Sequence, residues 1–324
     1  MCTAITYKTE NLYFGRTLDL ECSFSEKIII TPRNYKFLFN NNFSAASHYA
    51  MIGIGIIKNN YPLYYDAVNE KGLCIAGLNF PGNAVYNTAK NAYFNLASYE
   101  FIPYLLSVCG SVEEAIAQIN KINITSSAFS QELQPTPLHW IIADKYKSIT
   151  VEPLSDGLKI YDNFVGVLTN NPTFDHQIFS LNNYQNVSPS ELDGKFADCI
   201  KLTKYSRGLA GIGLPGDLSS NSRFIRACFT LLNSVSPNTD NGDVTQFFHI
   251  LEAVSQTRGC VRLEDGKLEQ TVYTSCCDTK NLIYYFTTYC NRQINAVKLL
   301  NENIDGESIH EYSIEMNQNI KYIN

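Results

Sequence analysis

Apolar and polar side chains alternate through roughly the first eighty residues, the period-two pattern of strands with one face in a core. Thr3–Tyr7 and Leu12–Leu18 flank the polar run Lys8-Thr9-Glu10-Asn11, which predicts a β-hairpin. Lys27–Thr31, Phe37–Phe39 and Met51–Ile57 read as further strands, and Tyr61–Val68 and Leu73–Phe80 form a second hairpin around Asn69-Glu70-Lys71-Gly72. The period then lengthens: Phe94–Cys109 has helical spacing, and Ser111-Val112-Glu113-Glu114 is a capping box for a helix running to about Ile122. Strands return at Leu138–Asp144, Ile149–Glu152, Leu158–Tyr161 and Val165–Thr169. Helices follow near Ser222–Ser234 and Val244–Gln256, and the chain ends in strands at Val272–Cys277, Leu282–Tyr289 and Ile294–Leu299. Strand blocks separated by helix pairs point to the α+β class, with two sheets covered by helices. With no Pro-, Gly- or Ser-rich linker and no internal repeat, the expectation is one domain over residues 1–324.

Composition narrows the function more than the fold. Hydrophobic residues make up 45% and charged residues 17%, the balance of a globular protein with a substantial core. A net charge of −6, spread without Lys or Arg runs, argues against nucleic acid as a partner. No apolar run approaches the roughly 20 residues of a membrane span, and no basic-then-apolar leader precedes Cys2, so a cytoplasmic protein with no membrane partner is expected. In that reducing setting most of the ten cysteines, which form no CxxC pair, read as buried thiols, and the sequons at Asn42 and Asn123 carry no weight. The five histidines lack metal-ligand spacing; neither a metal nor a cofactor is expected. His139, in an apolar strand beside Trp140, reads as a core histidine, and His176 as a loop or helix-start residue. Gly211-Ile212-Gly213-Leu214-Pro215-Gly216 matches GxGxxG, but Pro215 and the polar residues after it do not open a helix within the glycines. A tight loop ahead of the next helix is the simpler reading.

Candidate chemistry begins at Cys2. Initiator methionine is removed ahead of a small side chain, and its loss would put a thiol and a free α-amine on one residue, a nucleophile beside a base. Taken alone, a cysteine here reads more simply as one of ten that happens to fall at this place. The first hairpin adds Arg16 and Asp19, which antiparallel pairing carries towards the terminus. A guanidinium stabilises a thiolate, and a carboxylate orients an amine. Each charge by itself also reads as a solvated strand-end residue.

Several segments, in order, resemble one family. These are Met1-Cys2-Thr3-Ala4, Phe14-Gly15-Arg16-Thr17-Leu18-Asp19, Ala76-Gly77-Leu78-Asn79-Phe80-Pro81, Gly166-Val167-Leu168-Thr169-Asn170-Asn171-Pro172, and Gly213-Leu214-Pro215-Gly216-Asp217 with Ser222-Arg223-Phe224. Together they are similar to the choloylglycine hydrolase family of N-terminal-nucleophile amidases, the bile salt hydrolases and penicillin V acylases. The resemblance implies a four-layer αββα sandwich and a Cys2 nucleophile exposed by loss of Met1, its own amine serving as base. It implies that Arg16 and Asp19 position Cys2, that Asn79 and Asn170 surround the tetrahedral intermediate, and that Arg223 belongs to the same site. By their own sequence, Asn79 and Asn170 read as well as turn residues. Asn79, where penicillin V acylases usually have tyrosine, resembles the bile-salt branch. Conjugated bile salts are therefore the expected substrate, through a thioester intermediate. Penicillin V, an N-acyl homoserine lactone, or a non-catalytic binder of bile salts or acyl amides remain the alternatives. A homo-oligomer, often a tetramer among relatives, is implied as well. Cys74-Ile75 and Tyr104 depart from the family pattern outside this candidate set.

Overall fold

The first hairpin closes where the polar run between two alternating stretches predicts it. In the computed structural model, which describes residues 1–40, 44–191 and 196–324, strand β1 (Cys2–Lys8) pairs antiparallel with strand β2 (Leu12–Leu20). Cys2 stands opposite Leu18, and Ala4 opposite Arg16. The sequon residue Asn42 lies outside the described residues. The hairpin sits inside a seven-stranded sheet, with Val167–Leu168 on one side of β1 and Leu268–Asp278, Ile283–Thr288 and Asn295–Lys298 following β2. An eight-stranded sheet runs in the order Gly157–Asp162, Ser148–Leu154, Leu138–Ala143, Cys74–Asn79, Tyr61–Asn69, Met51–Lys58, Lys27–Thr31, His310–Ser313.

The two sheets bury a shared face, and each buries its other face under helices. Helices α1 (Phe101–Val108) and α2 (Val112–Ile119) cover the eight-stranded sheet, where Phe101, Leu105, Trp140 and Ile142 join one apolar cluster. After the short helix α3 (Phe174–Ser180), helices α4 (Ser220–Asn233) and α5 (Asp240–Glu252) cover the seven-stranded sheet, with Phe224, Phe247 and Leu251 in a second cluster that extends between the sheets. This is the αββα sandwich. Strand β2 is buried on both faces over almost its whole length, so its polar residues Arg16, Thr17 and Asp19 have no access to bulk water and must find partners inside the protein.

Gly15 is required here by close approach rather than by an unusual φ. A Cβ at this position would stand 2.0 Å from the carbonyl oxygen of Ser275 on the adjacent strand. Gly15→Ala is expected to lower stability by about 1–3 kcal/mol, the cost of overpacking, read as a lower urea midpoint. An unchanged midpoint would mean that the two strands separate freely.

Three local readings differ from the sequence expectation. The periodic stretch 94–109 is split: Phe94–Ala97 is a strand paired in parallel with Ile122–Thr125, and only Phe101–Val108 is α-helical. The capping box does open α2, Ser111 accepting from Glu114 N at 3.2 Å, but Glu114 reaches back to Gly110 N and the helix ends at Ile119. Helix α3 and the edge strand His310–Ser313 were not expected. His176 lies near the start of α3. Among the described residues no helix is long and apolar enough to cross a membrane.

Candidate active site

Strand parity divides the hairpin's polar residues between two faces. Alternation places Cys2 and its diagonal neighbour Arg16 on the face towards the second sheet, and Thr3, Thr17 and Asp19 on the face towards α4. On the first face, Arg16 Nη2 contacts Cys2 Sγ directly. The guanidinium is held by backbone carbonyls: Nε donates to Thr17 O at 3.2 Å and Nη1 to Gly77 O at 2.5 Å. Burial opposes its charge, but Cys2, Tyr273, Asp66 and Asp19 together outweigh that cost, and the Arg16 pKa is raised. Arg16 is therefore a fixed positive charge against the sulfur.

On the opposite face Arg223, from the first turn of α4, enters the sheet and is fully buried. Its Nη1 donates to Cys2 O at 2.5 Å and Thr3 Oγ1 at 2.6 Å, and its Nη2 to Asn170 Oδ1 at 2.8 Å. The Asp19 carboxylate, also fully buried, is 3.9 Å from the same guanidinium. Burial lowers the Arg223 pKa, opposed by Asp19, Cys2 and Glu269. One arginine thus fixes the backbone of the cysteine, an asparagine and a carboxylate in a single arrangement.

Asn170 follows the edge strand Val167–Leu168 and is clamped from two helices, its N–H donating to Ser220 Oγ of α4 and its carbonyl accepting from Gln177 of α3. Its Oδ1 accepts from Cys2 N at 2.8 Å and its Nδ2 donates to Asn79 O at 2.7 Å. The partner of the Cys2 nitrogen is therefore Asn170, not the Asp19 carboxylate that the hairpin argument favours. Asp19 turns instead to Thr271 Oγ1 at 2.7 Å and Thr17 Oγ1 at 3.2 Å. Asn79 ends the strand Cys74–Asn79 and is not a turn residue. The other five candidate residues, dispersed through the chain, thus gather about Cys2, Asn79 and Asp19 through Asn170 and Arg223.

Cys2, Arg16 and Asn79 also line a cavity of about 350 Å³ whose other walls include Leu18, Leu20, Ile56, Leu63, Tyr99, Ile102, Phe129, Leu133 and Leu138. That lies within the roughly 300–1,000 Å³ of small-molecule sites, and such a wall suits a large apolar group with one polar end at the sulfur. Tyr104 and Cys74-Ile75 are instead buried in the core, away from this lining.

Other features resolve to structure. His139 is buried, its ring nitrogens 3.2 Å from Glu152 Oε1 and 2.9 Å from Thr169 O, with Phe80 stacked on it at 4.1 Å. The glycine-rich run follows a short 3₁₀ turn rather than a strand, and α4 begins only at Ser220.

Sequence reading missed three buried carboxylate contacts. Glu269 forms an ion pair with the Met1 ammonium at 2.5 Å. Asp66 lies between the sheets, accepting from Tyr273 at 3.0 Å, Ser275 at 3.3 Å and Tyr284; burial pushes its pKa up, offset by Arg16 and these hydroxyls. Thr271 serves Asp19. A lone acid inside Tyr64-Tyr65-Asp66-Ala67-Val68 was the one visible signal; the other contacts depend on distant strands.

Residues 2–312 match the family described as linear amide C–N hydrolases, choloylglycine hydrolase family. A bile salt hydrolase/transferase from Lactiplantibacillus plantarum is 51% identical over 314 residues, covering 97% of each chain. The mutant C2A conjugated bile acid hydrolase from Clostridium perfringens superposes with a TM-score of 0.94 at 38% identity over 100% of both chains. A penicillin V acylase from Agrobacterium tumefaciens shares the fold, with a TM-score of 0.76 at 20% identity over 99% of this chain and 94% of that one.

Proposed function

Because the chain belongs to the choloylglycine hydrolase family of linear amide C–N hydrolases, we propose that it cleaves glycine- or taurine-conjugated bile salts, using Cys2 as nucleophile once Met1 is gone. The observation that carries this reading is Cys2 Sγ set against Arg16 at the wall of an apolar cavity. With Met1 attached, Cys2 N is an amide nitrogen whose lone pair is delocalised, so it cannot accept a proton. Removal converts that same atom into an amine beside Asn170 Oδ1.

In the proposed course the amine takes the thiol proton as Cys2 Sγ attacks the substrate carbonyl. Asn79 and Asn170 supply amide N–H groups near the developing oxyanion; Asn170 Nδ2 carries a second hydrogen besides the one given to Asn79 O. Collapse breaks the C–N bond, and the amine returns the proton to the departing glycine or taurine nitrogen. Water then attacks the thioester, the amine again taking a proton, and the bile acid leaves with the thiol restored. Arg16 stabilises the sulfur anion, while Arg223 holds the cysteine carbonyl with the Asp19 carboxylate beside its guanidinium. An amine in place of water would give acyl transfer, consistent with the hydrolase/transferase name of the L. plantarum relative. The chain works, in this reading, as a cytoplasmic homo-oligomer, which sedimentation of the purified protein and fractionation of its host would test.

The test is a substrate panel: glycocholate, taurocholate, penicillin V and an N-acyl homoserine lactone, with and without an added free amino acid. The highest kcat/KM is expected for a conjugated bile salt, with release of the free bile acid. Preference for penicillin V or the lactone would move the substrate assignment, and binding of bile salts without turnover would leave a binder only.

A further inference from the structure

We propose that Thr271 is a positioning residue for this reaction, its hydroxyl proton committed to the Asp19 carboxylate. The inference rests on the reading of Asp19 as part of the site. Thr271 reaches Asp19 through a break in strand pairing. Along β2, Asp19 and Leu18 are adjacent, yet their partners on the strand Leu268–Asp278 are Thr271 and Tyr273, so Val272 is an extra, bulged residue. In a regular strand Thr271 and Tyr273 would point to one face. The bulge separates them: Thr271 turns to Asp19 on the helix side, while Tyr273 donates to Asp66 between the sheets at 3.0 Å.

The direction of the Thr271 proton follows from its neighbours. A hydroxyl has one hydrogen and two lone pairs. Gln256 N–H, which can only donate, points at Thr271 Oγ1 from 2.8 Å, and Ser255 Oγ donates to the same oxygen from 3.2 Å. Both lone pairs are occupied, and the hydrogen goes to Asp19 Oδ1 at 2.7 Å. The Thr271 backbone is pinned as well, its N–H donating to Gln256 O at 3.1 Å. Gln256 lies just beyond α5, so that connection locks the hydroxyl which fixes Asp19. Thr17 Oγ1, at 3.2 Å from the other carboxylate oxygen, also accepts from Thr3 N. Asp19 is thereby held between two hydroxyls, and its orientation towards Arg223 is set by the bulge.

Thr271→Val keeps the shape and removes the hydroxyl; Thr271→Ser keeps the hydroxyl. For bile salt hydrolysis, Thr271→Val is expected to lower kcat about 10- to 100-fold with KM within about twofold of the parent, because the lost bond is to a charged group remote from the substrate cavity. Thr271→Ser should recover most of that loss. Parental kcat in Thr271→Val, or equal losses in the Val and Ser variants, would overturn the proposal. Should Thr271→Val not fold, Thr271→Ala against Thr271→Ser carries the same comparison. Asp19→Asn, assayed in parallel, separates the two levels: if it retains parental kcat the reading of Asp19 fails, and if it is inactive while Thr271→Val is unaffected only the present proposal fails.

Discussion

Cys2→Ala is expected to lower amide hydrolysis by at least about 10⁴-fold while leaving the unfolding transition in place, since removal of a covalent nucleophile eliminates the thioester route altogether. Alanine is the informative replacement because it is also small, so Met1 removal proceeds as before and the amine is exposed. The loss then belongs to the sulfur alone. The cysteine is buried, but its side chain abuts Arg16 and borders the cavity, so truncation leaves the packing of the sandwich largely intact. Near-parental turnover in Cys2→Ala would remove Cys2 from the mechanism.

Retention of Met1 is expected to have an effect of similar size, at least about 10³-fold on kcat, although the thiol is then untouched. In the unprocessed chain the Met1 ammonium is engaged by Glu269 Oε1 and by the Asp19 carbonyl, and Cys2 N is a non-basic amide donating to Asn170. Among the described residues the charged side chain in contact with the sulfur is Arg16, which cannot accept a proton and so cannot replace the missing base. A lysine inserted between Met1 and Cys2, too large for methionine removal, would produce this state. If the inserted variant turned over normally, another group would have to be the base.

The hairpin and the rest of the site differ in how far the sequence alone discloses them. The β1–β2 hairpin is legible because alternation and a four-residue polar turn are local signals, and once it is drawn Arg16 falls beside Cys2. Asn79, Asn170 and Arg223 are not local in this sense; Arg223 donates to a carbonyl 221 residues away, and only family resemblance brings it forward. Thr271 is hidden by the bulge at Val272, which breaks the parity on which strand reading depends. The same physics explains the misread helix. Phe94–Ala97 carries residues compatible with helical spacing, but its backbone is claimed by Ile122–Thr125, a pairing set by tertiary contacts. Helix α3, seven residues behind Pro172, is too short for its period to show, and His310–Ser313 is a strand only because Lys27–Thr31 offers it an edge.

The central claim is that the cysteine acts only as the first residue of the chain. It is tested most directly by measuring intact mass and glycocholate turnover on the same preparations, made with graded fractions of Met1 retained. Activity proportional to the fraction lacking methionine, together with a bile-acyl mass trapped on the peptide that begins at Cys2, is the predicted result. Full activity in protein that retains Met1, or acylation of any other residue, would contradict it.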